Sequence, residues 1–265
     1  MEVILSMIMV TIGFVGSFFS GLLGIGGAII NYPLLLFIPS SLGAAEFTAQ
    51  EVSGISMFQV FFASLAGVLA YKAKSKKSNT PSLIHKGLVL NMGISIMLGS
   101  LIGGHVSKFL VGDTINVLYG VLAVIAVVLM VIPSKGKQQE DSSEIIYNRM
   151  IAIIAAFLTG IVSGIVGAGG GFILIPIMLK VLKIPTRTTI ASSLAIVFIS
   201  AIGGVVGKVT GGPIPIIPTL FTVIGSVIGA PLGSRISGKI NVKYLRYALV
   251  ILISLTAIKV WMSIL

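Results

Sequence analysis

The sequence predicts an all-α polytopic membrane protein. Its plan is two inverted-topology repeats, each with one glycine-broken re-entrant or discontinuous helix plus three transmembrane helices. Three observations predict this. Hydrophobic residues make up 56% of the 265-residue chain and charged residues 9%, against about a quarter charged in soluble domains. A glycine-rich segment occurs twice: residues 20–33 read SGLLGIGGAIINYP and residues 163–176 read SGIVGAGGGFILIP. The basic residues, finally, fall almost entirely on one face once both glycine-rich segments enter and leave the membrane on the same side.

The first half, residues 1–133, opens with a run over 3–45 that contains no Lys, Arg, Asp, Glu or His. As one straight helix it would rise roughly 65 Å, about twice the hydrocarbon thickness. Gly24, Gly26 and Gly27 sit near its middle, where glycine relaxes the backbone, so the segment is expected to bend into a hairpin. Runs without Lys, Arg, Asp or Glu follow at 52–71, 87–107 and 114–134, each about long enough to cross a bilayer as a helix. The alternating short segments of a membrane β-barrel are absent.

The stretch SKGKQQEDSSEIIYNR at 134–149 is the longest polar one and reads as a cytoplasmic linker. The second half, residues 150–265, repeats the plan: a glycine-broken segment at 150–179, then spans at 188–207, 209–234 and about 244–264. A second echo supports the duplication. Gly99, Ser100, Ile102 and Gly103 match Gly225, Ser226, Ile228 and Gly229, and small-xxx-small spacing lets helices approach closely.

Loop charge sets the expected orientation. With both long segments re-entrant, Lys108, Lys208 and Lys259 lie on one face and the other fifteen of the eighteen Lys and Arg on the opposite one. The positive-inside rule then makes the crowded face cytoplasmic and puts both termini outside. The expected location is the plasma membrane of a bacterial or archaeal cell. Met1–Glu2 shows no basic n-region, so no cleaved signal is expected. The net charge of +11 is explained by these loops and does not call for nucleic acid.

Backbone freed from helical bonding inside a membrane must be buried in protein or line a wet cavity. Half-helices starting near Ala28 and Gly171 would carry unpaired N–H groups and partial positive charge. Two such ends, related by a pseudo-two-fold, would meet near mid-membrane and attract an anion without a buried Arg or Lys. The candidate binding residues are therefore Gly24, Gly26, Gly27, Ala28, Gly167, Gly169, Gly170 and Gly171, with Asn31 just after the first cluster. Its repeat partner is Leu174, so the halves need not contribute equally. Ser53, Ser56 and Gln59 share a face of the second segment, and Thr189, Ser192 and Ser193 stand in its counterpart. Hydroxyls and amides are neutral donors for an oxyanion, although membrane Ser and Thr also bond to neighbouring helices. Glu51 is the one carboxylate at the edge of an apolar run. It is the candidate coupling residue, with capping of a helix start as the alternative.

No cysteine is present, which excludes disulfides and thiolate chemistry. There is no HExxH, GxSxG or Walker A string, and GIGGA lacks the strand–turn–helix setting of a dinucleotide site. An enzyme is not expected, nor a cofactor or metal.

The pair SGLLGIGGAIINYP and SGIVGAGGGFILIP resembles the paired glycine signatures of the TauE/SafE sulfite exporter family and its 4-toluenesulfonate uptake relatives. The resemblance covers nearly the whole chain. It implies a secondary carrier for small sulfur-containing anions such as sulfite, thiosulfate or sulfoacetate-like organosulfonates. One departure stands out: the last glycine of the cluster, Gly171 in the second half, is Ala28 in the first. The expected partners are a small anion and the lipid bilayer, and a homodimer is compatible with the plan. A passive anion channel and a membrane assembly subunit without transport activity are the alternatives.

Overall fold

In the computed structural model, residues 2–24, 28–77, 84–131, 147–212 and 214–237 are described, together with part of 240–262. Among them there is no strand. The first glycine-rich segment forms two helices, α1 (Glu2–Leu23) and α2 (Ala28–Ser41). There follow α3 (Ala49–Lys77), α4 (Lys86–Val106) with a 3₁₀ turn at Ser107–Phe109, and α5 (Gly112–Val131). The second half gives α6 (Arg149–Val166), the short α7 (Gly171–Pro176) running into a π turn at Ile177–Val181, α8 (Thr186–Val209) and α9 (Ile216–Ser237). The described residues between 244 and 262 are helical. Among the described residues six helices are long and apolar enough to cross a membrane: α1, α3, α4, α6, α8 and α9. The expected all-α, polytopic membrane class is the one observed.

Each glycine-rich segment folds back on itself. Asn31 of α2 lies against Gly16 of α1, so α2 returns along the helix that precedes it. In the second half Gly170 packs on Thr159 and Ser163. Leu174 and Met178 then join Ala152 and Ala156 in one buried apolar cluster. The outgoing arms are long helices, 22 residues in α1 and 18 in α6, and only the returning arms are short, 14 residues in α2 and 6 in α7. The turn is sharp because α6 ends in a left-handed residue, Gly167 at φ +79°, whose N–H bonds back to the Ser163 carbonyl. Gly169 and Gly170 are also left-handed.

The remaining helices meet through glycine faces. Gly225 lies on Val10 and Phe14, Gly229 on Phe14, and Gly233 on Phe18 and Leu22. The numbers rise together, so α1 and α9 run parallel. Gly99 lies on Phe157 and Ile161, and Gly164 on Ser100 and Gly104, so α4 and α6 are parallel as well. A Cβ at Gly99, Gly103, Gly225 or Gly233 would overlap a carbonyl oxygen of the facing helix. That is how small-xxx-small spacing permits backbone contact without hydrophobic drive in lipid.

Other contacts fix the remaining directions. Gly203 on Met97 and Gly207 on Leu101 make α4 and α8 parallel. Gly54 on Ile214 and Gly67 on Ser234 do the same for α3 and α9. Helices α3 and α8 cross in opposite directions: Met57 meets Gly204, the Phe61 and Phe198 rings stand 5.3 Å apart, and Gly67 meets Leu194. Thus α1, α3 and α9 point one way and α4, α6 and α8 the other. Helices that correspond in sequence between the halves run oppositely, and each half's third long helix packs on the other half's first.

The outward faces are apolar. Leu90, Ile94 and Leu98 on α4, Ile151, Ile154 and Leu158 on α6, and Leu220, Ile224 and Ile228 on α9 are all exposed. Such a continuous apolar surface is suited to lipid rather than water.

Candidate functional site

The site builds on the crossing of α3 and α8. Gly169 sits between Val60 of α3 and Val197 of α8, midway along both helices, so the second hairpin reaches the centre of the bundle. Gly167 rests on the Ser53 backbone near the start of α3, and Gly24 rests on Ile190 and Ser193 near the start of α8. Gly26 and Gly27 lie outside the described residues, as does the side chain of Ala28, although α2 begins at that residue.

Two hydroxyls pin the hairpins reciprocally. Ser53 Oγ donates to the Ile165 carbonyl at 2.8 Å, and Ser193 Oγ donates to the Gly24 carbonyl at 2.7 Å. Helices α3 and α8 thereby each satisfy a carbonyl freed at the end of the other half's α6 or α1, where no intrahelical partner exists. These serines hold the breaks in place. Thr189 Oγ1 bonds to the Ile184 carbonyl at 3.4 Å, and Ser192 Oγ accepts from the His85 N–H at 3.0 Å. Both tie the start of α8 to its surroundings.

Three predicted side chains keep free polar atoms. Asn31 Oδ1 and Nδ2, Ser56 Oγ and Gln59 Oε1 are buried without a hydrogen-bond partner among the described residues. Gln59 Nε2 donates to the Gly13 carbonyl at 3.3 Å and to Ser17 Oγ at 3.2 Å. Gly13, Gly16, Ser17 and Ser20 share one face of α1. Asn31 and Gln59 therefore abut that face within one turn of each other. Ser20 Oγ is unpartnered too; it was not among the candidate residues, and its place in the duplicated motif is the signal that pointed to it unread.

Two expectations are corrected. Glu51 does not face a path. Its carboxylate accepts from the Thr48 N–H and Thr48 Oγ1, both at 2.9 Å, while the Glu51 N–H donates to Thr48 Oγ1 at 3.3 Å. That is a capping box at the start of α3, with both bonds on Oε2. Lys208 is not a loop cation. It lies in the last turn of α8, 5% exposed, with Nζ 2.8 Å from both Ser107 Oγ and the Ile165 carbonyl. Ser107 Oγ in turn donates to the Gly104 carbonyl at 2.7 Å. The C-terminal ends of the parallel helices α4, α6 and α8 converge on this one ammonium. Each end carries partial negative charge, which explains a buried lysine without a carboxylate.

This fold and this site define a class, the polytopic membrane transport proteins. The profile of the family described as Sulfite exporter TauE/SafE matches residues 9–260, and the chain belongs to that family. It is 27% identical over 252 residues to the probable membrane transporter protein YunE of Bacillus subtilis, covering 89% of this chain and 90% of that one. It is 28% identical over 254 residues to a probable membrane transporter protein of Methanocaldococcus jannaschii, covering 91% and 90%. No solved structure matches.

Proposed function

We propose that the protein is a secondary carrier that moves a small anion, a sulfur oxyanion or organosulfonate, by alternating access. One observation carries the sign of the charge: α2 starts at Ala28, and its helix N–H groups stand beside the unpartnered amide of Asn31. The choice of sulfur chemistry rests on the family description alone. Movement is ascribed to the two hairpins, each held by one hydroxyl from the opposite half, so that releasing Ser53 or Ser193 would free one hairpin at a time.

The test is flux through the purified chain in liposomes over a panel of sulfite, thiosulfate, sulfoacetate, chloride and a cation control. Accumulation of a sulfur anion against its own gradient supports the carrier. Flux that only ever runs down the gradient supports a channel. No flux of any panel member would leave the assembly-subunit reading.

The orientation belongs to the same reading. With Lys208 assigned to the membrane, the sparse face keeps only Lys108 and Lys259, which sharpens the positive-inside contrast. Single cysteines at Ser75 and Ser237 are expected to resist an impermeant thiol reagent in intact cells. A cysteine at Ser6 or a C-terminal tag is expected to be reached. Labelling of Ser75 from outside would reverse the assignment.

A further inference from the structure

We propose that the first half carries a binding site for a small monovalent cation, sodium, between α1, α2 and α3, with Asn31 Oδ1 and Gln59 Oε1 as its side-chain ligands. The argument starts from which atoms lack a partner. Gln59 Nε2 points at the Gly13 carbonyl, an atom that can only accept. This fixes the amide orientation and forces Oε1 to be the free end. Oε1 is fully buried and unpartnered, and so are both polar atoms of Asn31. Leaving such groups unsatisfied in a low-dielectric interior costs about 1–3 kcal/mol each.

An anion cannot satisfy two carbonyl-type oxygens, because acceptor meets acceptor. They call for a cation or a donor, and the free donor beside them is Asn31 Nδ2, which cannot serve its own oxygen. The surroundings choose a small, hard, aprotic cation. The groups on this face of α1 are amides, hydroxyls and a backbone carbonyl, which suit a hard cation held by oxygen. Among the described residues no carboxylate stands among the buried unpartnered groups. The site is also tight: Asn31 fits only because Gly16 has no side chain, and a Cβ there would overlap its amide.

The site is confined to one half. Laying the reciprocal pins Ser53 and Ser193 on each other sets Gln59 opposite Ile199, and the glycine motif sets Asn31 opposite Leu174 and Ser17 opposite Gly160. The second half therefore has no amide where the first has two, and its matching face of α6 keeps only the hydroxyls of Thr159 and Ser163. Asn31 stands one turn into α2, next to the helix start proposed for the anion. A cation there would offset the anion's charge during transfer. Its role as coupling ion rests on the proposed transport function. Its binding does not.

The experiment measures thermal stability of the purified full-length chain in sodium, potassium and choline chloride at fixed ionic strength. Sodium alone is expected to raise Tm saturably, as any ligand of the folded state does. Asn31→Leu introduces the residue that the second half already accommodates at the matching position, so it is expected to fold. It should weaken sodium at least about tenfold, whereas Asn31→Asp should tighten it by about tenfold. No sodium-specific shift overturns the site, and so does an unchanged sodium affinity in Asn31→Leu. Looser sodium binding in Asn31→Asp would also overturn it, since an added negative charge must favour a cation. Anion flux in liposomes with sodium present on both sides reads the transport reading separately. Failure of that flux alongside an Asn31-dependent sodium shift leaves the cation site standing and removes the carrier.

Discussion

Gly167→Ala is expected to abolish most transport and to lower thermal stability sharply, whereas Gly43→Ala keeps transport and lowers stability only by its backbone strain. Both glycines are left-handed, Gly167 at φ +79° and Gly43 at φ +63°. Alanine in that region costs about 1–2 kcal/mol at either position. They differ in their neighbours. A Cβ at Gly43 meets nothing within 4 Å, while one at Gly167 would overlap the Ser53 carbonyl and stand 2.7 Å from Ser53 Oγ. Backbone cannot swing aside as a side chain can. The tip of the second hairpin would have to lift from α3, and the Ser53 bond to the Ile165 carbonyl would go with it. The added loss is about 0.5–1.5 kcal/mol for the lost hydrogen bond, since the Ile165 carbonyl keeps its bond from Lys208 Nζ. Thermal unfolding in detergent and flux in liposomes check it. A Gly167→Ala protein with wild-type Tm would show that the tip does not bear on α3.

Lys208→Met is expected to have the second large effect. Methionine keeps the stem and loses the ammonium, so the two bonds to Ser107 and Ile165 vanish and three helix ends lose their shared counter-charge. Hydrogen bonds to charged groups contribute about 1.5–3 kcal/mol each. The expected loss corresponds to a fall in Tm on the order of 5–10 °C. Lys208→Arg keeps the charge but presents a planar fork to a site shaped for a point charge, and should fall between. If Lys208→Met unfolds like the wild type and yet binds no anion, the ammonium serves the ligand rather than the helix ends.

The parts of this architecture that were legible in the sequence are those written in local pattern. Apolar runs gave the long helices, and the doubled glycine motif gave two hairpins whose returning arms begin at Ala28 and Gly171. The paired GSLIG and GSVIG strings announced close helix contact. They could not say with which helix, because the facing groove of α1 or α6 lies more than fifty residues away and leaves no mark on spacing. Lys208 was misread for a physical reason. A lone charge between two apolar runs looks like a loop, and only the convergence of three helix ends makes burying it favourable. Glu51 carried its answer in plain view, since Thr48 stands three residues before it. The serines at 53 and 193 stood out by residue type, yet their use as pins depends on carbonyls that exist only where a distant helix stops.

The interlocking of the halves has a consequence for how the chain is made. Helix α1 is among the first to leave the ribosome, yet the glycine face it needs belongs to α9, more than two hundred residues later. Helix α4 likewise waits for α6. During synthesis the early helices must stand in lipid with small-residue grooves unfilled. The first half alone therefore has no reason to reach its final packing. Expressed separately, the two halves should each be short-lived in the membrane, and co-expressed they should rescue one another, because assembly is completed between the halves rather than within either.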